Sequence, residues 1–250
     1  MKKRFIRICV LNLMAFVLAQ AQDNRQKAVT FNDEGVAQFE AEKYEAAIES
    51  LNQAILLQPD YPTAHYNLGT IYYRLKQFEK AANALEKAIK FSPEYAEAYS
   101  CLGAVYTQTG QYKKAVEFLN KAILLKPNNS VALFNLGFTY IRQKEFKKAI
   151  EPLERAKLLE PDNTEIRINL GFAYAKRKDY TEAIAEVERA VNFNPKDTAA
   201  QFFLGNLYIL AKDKPSALAR YEEIKSLDTV LAKKLYQAIY NDKLIIVSYK

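Results

Sequence analysis

Few side chains of this chain could carry out covalent chemistry. The 250 residues include one histidine, His65, and two cysteines, Cys9 and Cys101. The sequence has no Gly-rich phosphate loop and no cluster with metal-ligand spacing. Its carboxylates are interspersed with lysines, as they are on solvated helix faces. We therefore expect no catalytic residue, no metal site, no cofactor and no enzymatic activity.

The side chains better suited to a function are amides and aromatic rings, which support binding. Asn67, Asn135 and Asn169 each stand directly before a Leu-Gly pair. An amide offers a donor and an acceptor together, so it can pair with a peptide bond whatever the side chain beside it. Phenylalanines recur in the same segments, and an aromatic ring supplies a large apolar contact area.

These residues recur because the whole chain repeats with one period. Proline occurs every 34 residues from Pro59 to Pro195, and alanine does so in two series that begin at Ala47 and Ala54. A fixed period shared by several residue types indicates a structural repeat. Glycine keeps the same interval at Gly35, Gly69, Gly103, Gly137, Gly171 and Gly205, and only Gly110 falls outside this series.

The repeat resembles the tetratricopeptide repeat, which is a 34-residue pair of helices. Leu-Gly-x-x-Tyr, the core of that family's first helix, occurs in repeats two to six, as in Leu68, Gly69 and Tyr72. The resemblance implies an all-α fold: a right-handed α-solenoid of six helix pairs with a C-terminal capping helix. The repeats are predicted at residues 28–61, 62–95, 96–129, 130–163, 164–197 and 198–231.

The sequence departs from the family at one packing position of the first helix. The family has a tryptophan there, and this chain contains none. We expect weaker packing of individual helices but the same fold, and we interpret His65 as a partly buried packing residue. The position is occupied by Phe31, His65, Tyr99, Leu133, Arg167 and Gln201.

Other residues predict how the helices cross, begin and end. Glycine in the first helix would let the second helix approach closely, and the alanines of the second helix would serve the same contact. Pro152 predicts a kink or a late start of the second helix in repeat four. A last helix is predicted over residues 229–240, and we expect the apolar tail, 244–249, to fold back on it, although it could stay loose or join a partner's sheet edge. The predicted N-caps are Asn129, Asn163 and Asp197.

The segment 1–21 is typical of a secretory signal peptide, followed by a short lead-in, 22–27. Four basic residues precede an apolar run, and Ala19-Gln20-Ala21 offers a cleavage site. The run is shorter than the ~20 residues that span a bilayer, so we expect cleavage and no membrane span afterwards, rather than an uncleaved anchor. Cleavage lowers the formal charge from +7 by four, to +3. We therefore expect a periplasmic or secreted protein, of bacterial type, without a nucleic-acid partner.

In tetratricopeptide repeats the first helices line an inner groove, and this resemblance assigns the candidate binding residues. In repeats four to six those positions are apolar, and an exposed apolar strip usually marks an interaction site. Some of these residues could instead pack between adjacent first helices. The partner-binding residues so assigned are Tyr66, Asn67, Tyr73, Arg74, Phe134, Asn135, Phe138, Ile141, Ile168, Asn169, Phe172 and Phe202.

Cys101 lies near the predicted groove and has no intramolecular partner once the leader is removed. It could pair with another chain or be reactive, and we favour partial burial as a small apolar residue.

These expectations combine into an extracytoplasmic scaffold or adaptor that binds an extended peptide or a protein partner in its groove. The phenylalanines would anchor the partner, and the asparagines, which resemble the amide ladder in the repeats of O-GlcNAc transferases, would bind its backbone. The alternative is a structural subunit of a self-associating or envelope-associated assembly whose groove stays empty. The oligomeric state and the partner's identity stay open.

Overall fold

The part of the chain that the structure describes, residues 2–241, consists of thirteen helices without a strand. The structure is a computed structural model. None of the described helices is long and apolar enough to cross a bilayer. The predicted tail, 244–249, lies outside the described residues. The helices are α1 Lys2–Glu40, α2 Tyr44–Leu57, α3 Pro62–Arg74, α4 Phe78–Phe91, α5 Ala96–Gln108, α6 Tyr112–Leu125, α7 Ser130–Arg142, α8 Phe146–Leu159, α9 Thr164–Arg177, α10 Tyr180–Phe193, α11 Thr198–Leu210, α12 Lys214–Lys225 and α13 Thr229–Asn241.

Successive helices pack in pairs, which gives the all-α helical repeat solenoid that the sequence predicts. The chain divides into two compact units, residues 1–111 and 112–250. In the first unit α1 packs on α2 and α3 on α4. In the second unit α7 packs on α8, α9 on α10 and α11 on α12, and α13 packs against both α11 and α12. The predicted capping helix is therefore present as α13.

The helix α1 runs without a break through the predicted leader and into repeat one. Val17 and Leu18 are exposed, whereas Ala28, the first residue of the predicted repeat, is fully buried. Packing of α1 against the repeats therefore begins well after the predicted cleavage site. Cleavage itself stays a prediction.

The periodic glycines lie where two helices approach closely. A Cβ atom on Gly69 of α3 would stand 2.6 Å from Leu85 Cγ and 3.3 Å from the Ala81 carbonyl oxygen, both on α4. These distances leave no room for a side chain, so the predicted role of glycine is confirmed. At Gly205 the close neighbour is Leu235 of the capping helix, at 2.6 Å, because α13 completes the packing of the last pair.

Gly110, which lies outside the glycine series, belongs to a second periodic feature. It occupies the turn between α5 and α6 at φ +75°. The equivalent turn residues also have positive φ, although none is glycine: Glu42, Lys76, Lys144, Lys178 and Lys212, at φ between 58° and 70°. In each of these turns the next residue donates its N–H back to a carbonyl five residues earlier, as in Gln77 N to Tyr72 O at 2.8 Å. First helices thus end in a left-handed cap of the Schellman type.

Several predicted helix boundaries are confirmed. The side chains of Asn129, Asn163 and Asp197 accept hydrogen bonds from the backbone at the start of α7, α9 and α11. The late helix start expected from Pro152 is wrong. Helix α8 begins at Phe146, in register with Phe78 of α4, and Pro152 is buried inside it. The alignment of first-turn aromatics fixes the start of these helices more strongly than one missing backbone donor.

A tyrosine of each Leu-Gly-x-x-Tyr core links successive repeats at three junctions. Its hydroxyl donates to a glutamate that lies 20 residues earlier, on the second helix of the preceding repeat. Tyr106 donates to Glu86 at 3.1 Å and Tyr174 to Glu154 at 2.9 Å. Tyr208 donates to Glu188. These hydrogen bonds raise the pKa of each tyrosine, after burial as the larger cause. We call each pair a Tyr–Glu latch.

Three residues at the family's tryptophan position share one compensating contact. His65, Arg167 and Gln201 are buried, and each donates to the carbonyl of the proline six residues earlier. His65 Nε2 lies 2.9 Å from Pro59 O. The ring also stacks on Phe91 with centroids 5.5 Å apart. His65 is therefore the packing residue that the sequence predicts, and burial lowers its pKa.

Arg167 also anchors a buried ionic network between α8, α9 and α10. Its guanidinium donates to Pro161 O and, through Nη1, to Glu186 Oε2 at 2.6 Å. The other oxygen of Glu186 accepts from Lys157 Nζ at 2.9 Å. Lys157 in turn contacts Glu154, the carboxylate of the latch with Tyr174. The sequence analysis missed this network.

Candidate functional site

The first unit carries four of the residues that the sequence assigns to partner binding, all on α3. Tyr66 is half-buried, with its ring centroid 5.0 Å from that of Tyr95, and burial raises its pKa. Tyr73 is also half-buried, 6.0 Å from the ring of Phe78, and Arg74 is exposed. These contacts hold the rings at the surface of α3 while leaving part of each accessible.

Asn67, the fourth of these residues, bonds to another repeat. Its Nδ2 donates to Asn32 Oδ1 on α1 at 2.9 Å, and Asn32 itself is buried. The first helices α1 and α3 are therefore joined side by side through their amides. The donor that was predicted to bind a partner's backbone is engaged within the chain.

Cys101 lies on α5 beside α3 and is partly buried, as the sequence analysis favoured. Its Sγ is 4.0 Å from Thr70 Oγ1. Burial raises the pKa of the thiol to about 11. At neutral pH the group is a protonated thiol, which is a poor nucleophile and a poor metal ligand.

In the second unit, α7 and α9 present a repeated pair of an aromatic ring and a cation. Arg142 lies over the ring of Phe138 at 5.9 Å, and Lys176 lies over the ring of Phe172 at 5.1 Å. Both cations are exposed and both rings are half-buried. The cation in each pair follows its phenylalanine by four residues, so the two lie on one face of the helix.

Neighbouring rings extend this surface along the first helices. Phe134 stacks near Phe138 with centroids 6.3 Å apart. Phe172 contacts Phe146 at 6.1 Å and Phe203 of α11 at 6.4 Å. We call the half-buried rings of Phe134, Phe138 and Phe172 the aromatic strip.

Phe134 and Ile141 have a second role, because each also packs against the core between α8 and α9. The amides next to the strip are partly accessible. The backbone oxygen of Asn135 accepts from Thr139 at 2.6 Å, and Asn169 Nδ2 donates to Glu165 O at 2.9 Å. Whether these amides bind a partner's backbone stays a prediction.

Two residues assigned to the groove are not accessible, which corrects the sequence analysis. Ile168 is 5% exposed and packs in the core formed with α10 and α11. Phe202 is 2% exposed and packs with Leu235 and Ile239 of the capping helix. The alternative of burial between neighbouring helices holds at both positions, since each first helix has a further helix packed beside it.

The structure gives no candidate for metal binding in the part of the chain where side chains are described. No group of three His, Cys, Asp or Glu residues comes together there in a way that could hold an ion. The accessible chemistry of the site is therefore apolar contact, cationic charge and amide hydrogen bonding.

Sequence comparison matches the chain to one family model. Residues 11–201, more than half of the chain, match the Tetratricopeptide repeat protein 21 C-terminal ARM domain. No curated protein sequence matches the chain.

Solved structures with a similar fold are numerous, and all of those described here are below 25% identity. The pilF protein of Pseudomonas aeruginosa superposes with a TM-score of 0.76 at 18% identity, covering 86% of this chain and 99% of its own. YrrB, described as a TPR protein with an unusual peptide-binding site, gives 0.63 at 23% identity and covers 76% and 99%. MamA from Desulfovibrio magneticus RS-1 gives 0.62 at 21% identity and covers 68% and 96%. These likenesses concern the fold.

Proposed function

The chain belongs to the tetratricopeptide repeat proteins, and from that premise we propose that it is an extracytoplasmic scaffold that binds an extended peptide or a protein partner through its first helices. The observation that carries this proposal is the aromatic strip with its paired cations, Arg142 and Lys176. Repeat solenoids use the surface formed by equivalent helices for binding. One structural neighbour, YrrB, is described as having a peptide-binding site.

The strip offers what a binding surface needs. Aromatic rings dominate the energetics of protein interfaces, and arginine is enriched with them at the residues that matter most. Rings held in place by Phe146 and Phe203 lose little conformational freedom on binding. Exposed cations beside them would favour a partner with acidic residues next to its apolar ones.

The extracytoplasmic location is supported by the leader-like segment, residues 1–21. Within it the described side chains of Met14, Val17 and Leu18 are exposed. Removing this segment would therefore cost the repeats none of the packing that these side chains could provide.

The experiment is crosslinking and capture with the mature protein in the extracytoplasmic fraction of its own cells. The test variant is Phe138→Ala with Phe172→Ala, and the control is Leu124→Ala with Leu158→Ala. The two leucines are 74% and 78% exposed on the second helices α6 and α8 of the same unit. A partner bound through the strip should be lost with the test variant and kept with the control. Equal capture by both folded variants would refute binding at the strip.

A second candidate function, a self-associating structural subunit, is favoured by the exposed face of α13. Tyr236 is 45% exposed, Tyr240 is 51% exposed and Val230 is 62% exposed. The terminal helix of a solenoid usually presents polar residues to solvent. Light scattering over a dilution series of wild type and Tyr236→Glu would distinguish the candidates, because an oligomer formed through this face should dissociate in the variant.

A further inference from the structure

A cleft of about 410 Å³ lies in the first unit between α2, α3 and α4. Its volume is in the range of small-molecule sites. It is lined by residues outside the aromatic strip, so it is not part of the proposed partner-binding surface. Apolar side chains, including Ile55 and Leu68, meet polar ones there: Asn52, Asn83, Lys80 and Lys87.

The cleft stands where a Tyr–Glu latch is missing. Tyr72 holds the latch position on α3, but the residue 20 positions earlier is Asn52 instead of glutamate, and both side chains line the cleft. Among the described residues the Tyr72 hydroxyl has no hydrogen-bond partner, whereas the equivalent hydroxyl of Tyr174 donates to Glu154. The junction between repeats one and two therefore lacks a carboxylate that other junctions contain.

The cleft also has cations that are not neutralised by ion pairs. Lys80 lies over the Tyr72 ring at 5.4 Å, and neither it nor Lys87 forms a salt bridge with a described residue. Glu79 is the one acidic residue in the lining, so two lysines leave a net positive charge. His65 is at the cleft wall with its Nε2 proton bound to Pro59 O.

The junction between repeats three and four shows what differs. It also has an asparagine, Asn120, at the latch position before Tyr140. There, however, the cation equivalent to Lys87 is Arg155, which pairs with Glu151 at 3.2 Å. The residue equivalent to Glu151 at the first junction is Asn83, which supplies no charge. Only at the first junction do a missing latch and unpaired cations coincide.

We propose that this cleft binds a carboxylate carried on a small apolar body, either a small organic acid or the C-terminal residue of a peptide. The carboxylate accepts from the Tyr72 hydroxyl and the Asn52 amide, replacing the missing glutamate. Lys80 and Lys87 supply the charge complement, and the apolar body packs on Ile55 and Leu68. The shared chemistry is one carboxylate beside one apolar group.

The test measures binding of N-acetylphenylalanine and of its uncharged amide to the full chain by titration calorimetry. The acid should bind at least about tenfold more tightly, as expected for hydrogen bonds to a charged group. A tetrapeptide with a free C-terminal phenylalanine is the second probe. Binding of that peptide without the free acid assigns the cleft to peptide ends, and binding of both acids includes small organic acids.

The decisive variant is Asn52→Glu, which restores a carboxylate within reach of Tyr72. It should abolish binding of the acid and raise the thermal midpoint of unfolding, because the latch closes the cleft. The matched control is Asn120→Glu, which should also stabilise the chain but leave binding unchanged. Lys87→Glu, at an exposed position, should abolish binding without depending on the latch.

Three results would overturn the proposal. They are no binding of either acid, equal binding of acid and amide, or unchanged binding in both Asn52→Glu and Lys87→Glu. Because none of these variants alters the aromatic strip, capture of a protein partner should be the same in all of them. Failure of this proposal is therefore distinguishable from failure of the proposed scaffold function.

Discussion

Removing the Glu186 carboxylate should destabilise the second unit more than any surface ion pair does. The side chain is 14% exposed and lies between Arg167, 6% exposed, and Lys157, 18% exposed. Glu186→Ala leaves both cations buried without their shared anion. Breaking a buried ion pair on one side costs about 3 to 5 kcal/mol.

The remaining contacts place this case near the lower limit of that range. Arg167 keeps the Pro161 carbonyl, and Lys157 keeps Glu154. We therefore expect a loss of about 3 kcal/mol in the free energy of unfolding. The matched control is Glu151→Ala, which removes an exposed partner of Arg155 on α8 and should cost about 0.5 kcal/mol or less.

Urea unfolding followed by circular dichroism gives the stability, and hydrogen exchange reports where it changes. Solenoid repeats contact only their neighbours, so protection should fall chiefly in α8, α9 and α10. The double variant Arg167→Leu with Glu186→Leu should regain much of the loss, since apolar side chains can replace a buried ion pair. The reasoning is refuted if Glu186→Ala and Glu151→Ala cost the same.

Two further predictions concern the turn and the thiol. Lys144→Gly should raise the free energy of unfolding by about 1 kcal/mol and Gly110→Lys should lower it similarly, because both residues have positive φ; urea unfolding checks this, and a loss in Lys144→Gly would contradict the left-handed cap. In a Cys9→Ser background, alkylation of Cys101 by iodoacetamide should keep accelerating up to pH about 11, whereas a plateau near pH 9 would show an unperturbed thiol. Because the folded pKa is the higher one, the stability due to this group is complete below the unfolded pKa of 9.0 and is lost as pH rises toward 11.

The repeat and its helix pairs could be predicted because they depend on small residues. Gly69 stands 2.6 Å too close to Leu85 for any side chain, so the requirement appears directly as a residue type. The caps at Asn129 and Asn163 were equally visible, since a side-chain oxygen is needed at that position. By contrast, the left-handed turns are mostly lysines, which carry no sign of positive φ. The position of Gly110 was the only signal, and it became legible by counting 34 residues to Lys76 and Lys144.

The contents of the candidate site were predicted less well, because helix-face positions do not say what packs beside them. Phe138 and Phe172 occupy equivalent positions and are half-buried. Phe202 is equivalent to Phe134 but is enclosed by α13, a helix outside the repeat pattern. The network of Arg167 and Glu186 joins residues 19 apart on different helices, an offset that no single-helix pattern reveals.

Departures from the repeat differ in whether the chain compensates for them. His65, Arg167 and Gln201 replace the expected aromatic residue, and each bonds to the proline carbonyl before its helix. Such substitutions are structural, because the buried polar group and the carbonyl satisfy each other. At Asn52 the loss of the latch glutamate leaves the Tyr72 hydroxyl without a partner among the described residues. In a repeat protein an uncompensated departure of this kind is where a ligand can supply the missing group, so the first junction is a more specific place to look than any position that keeps the repeat.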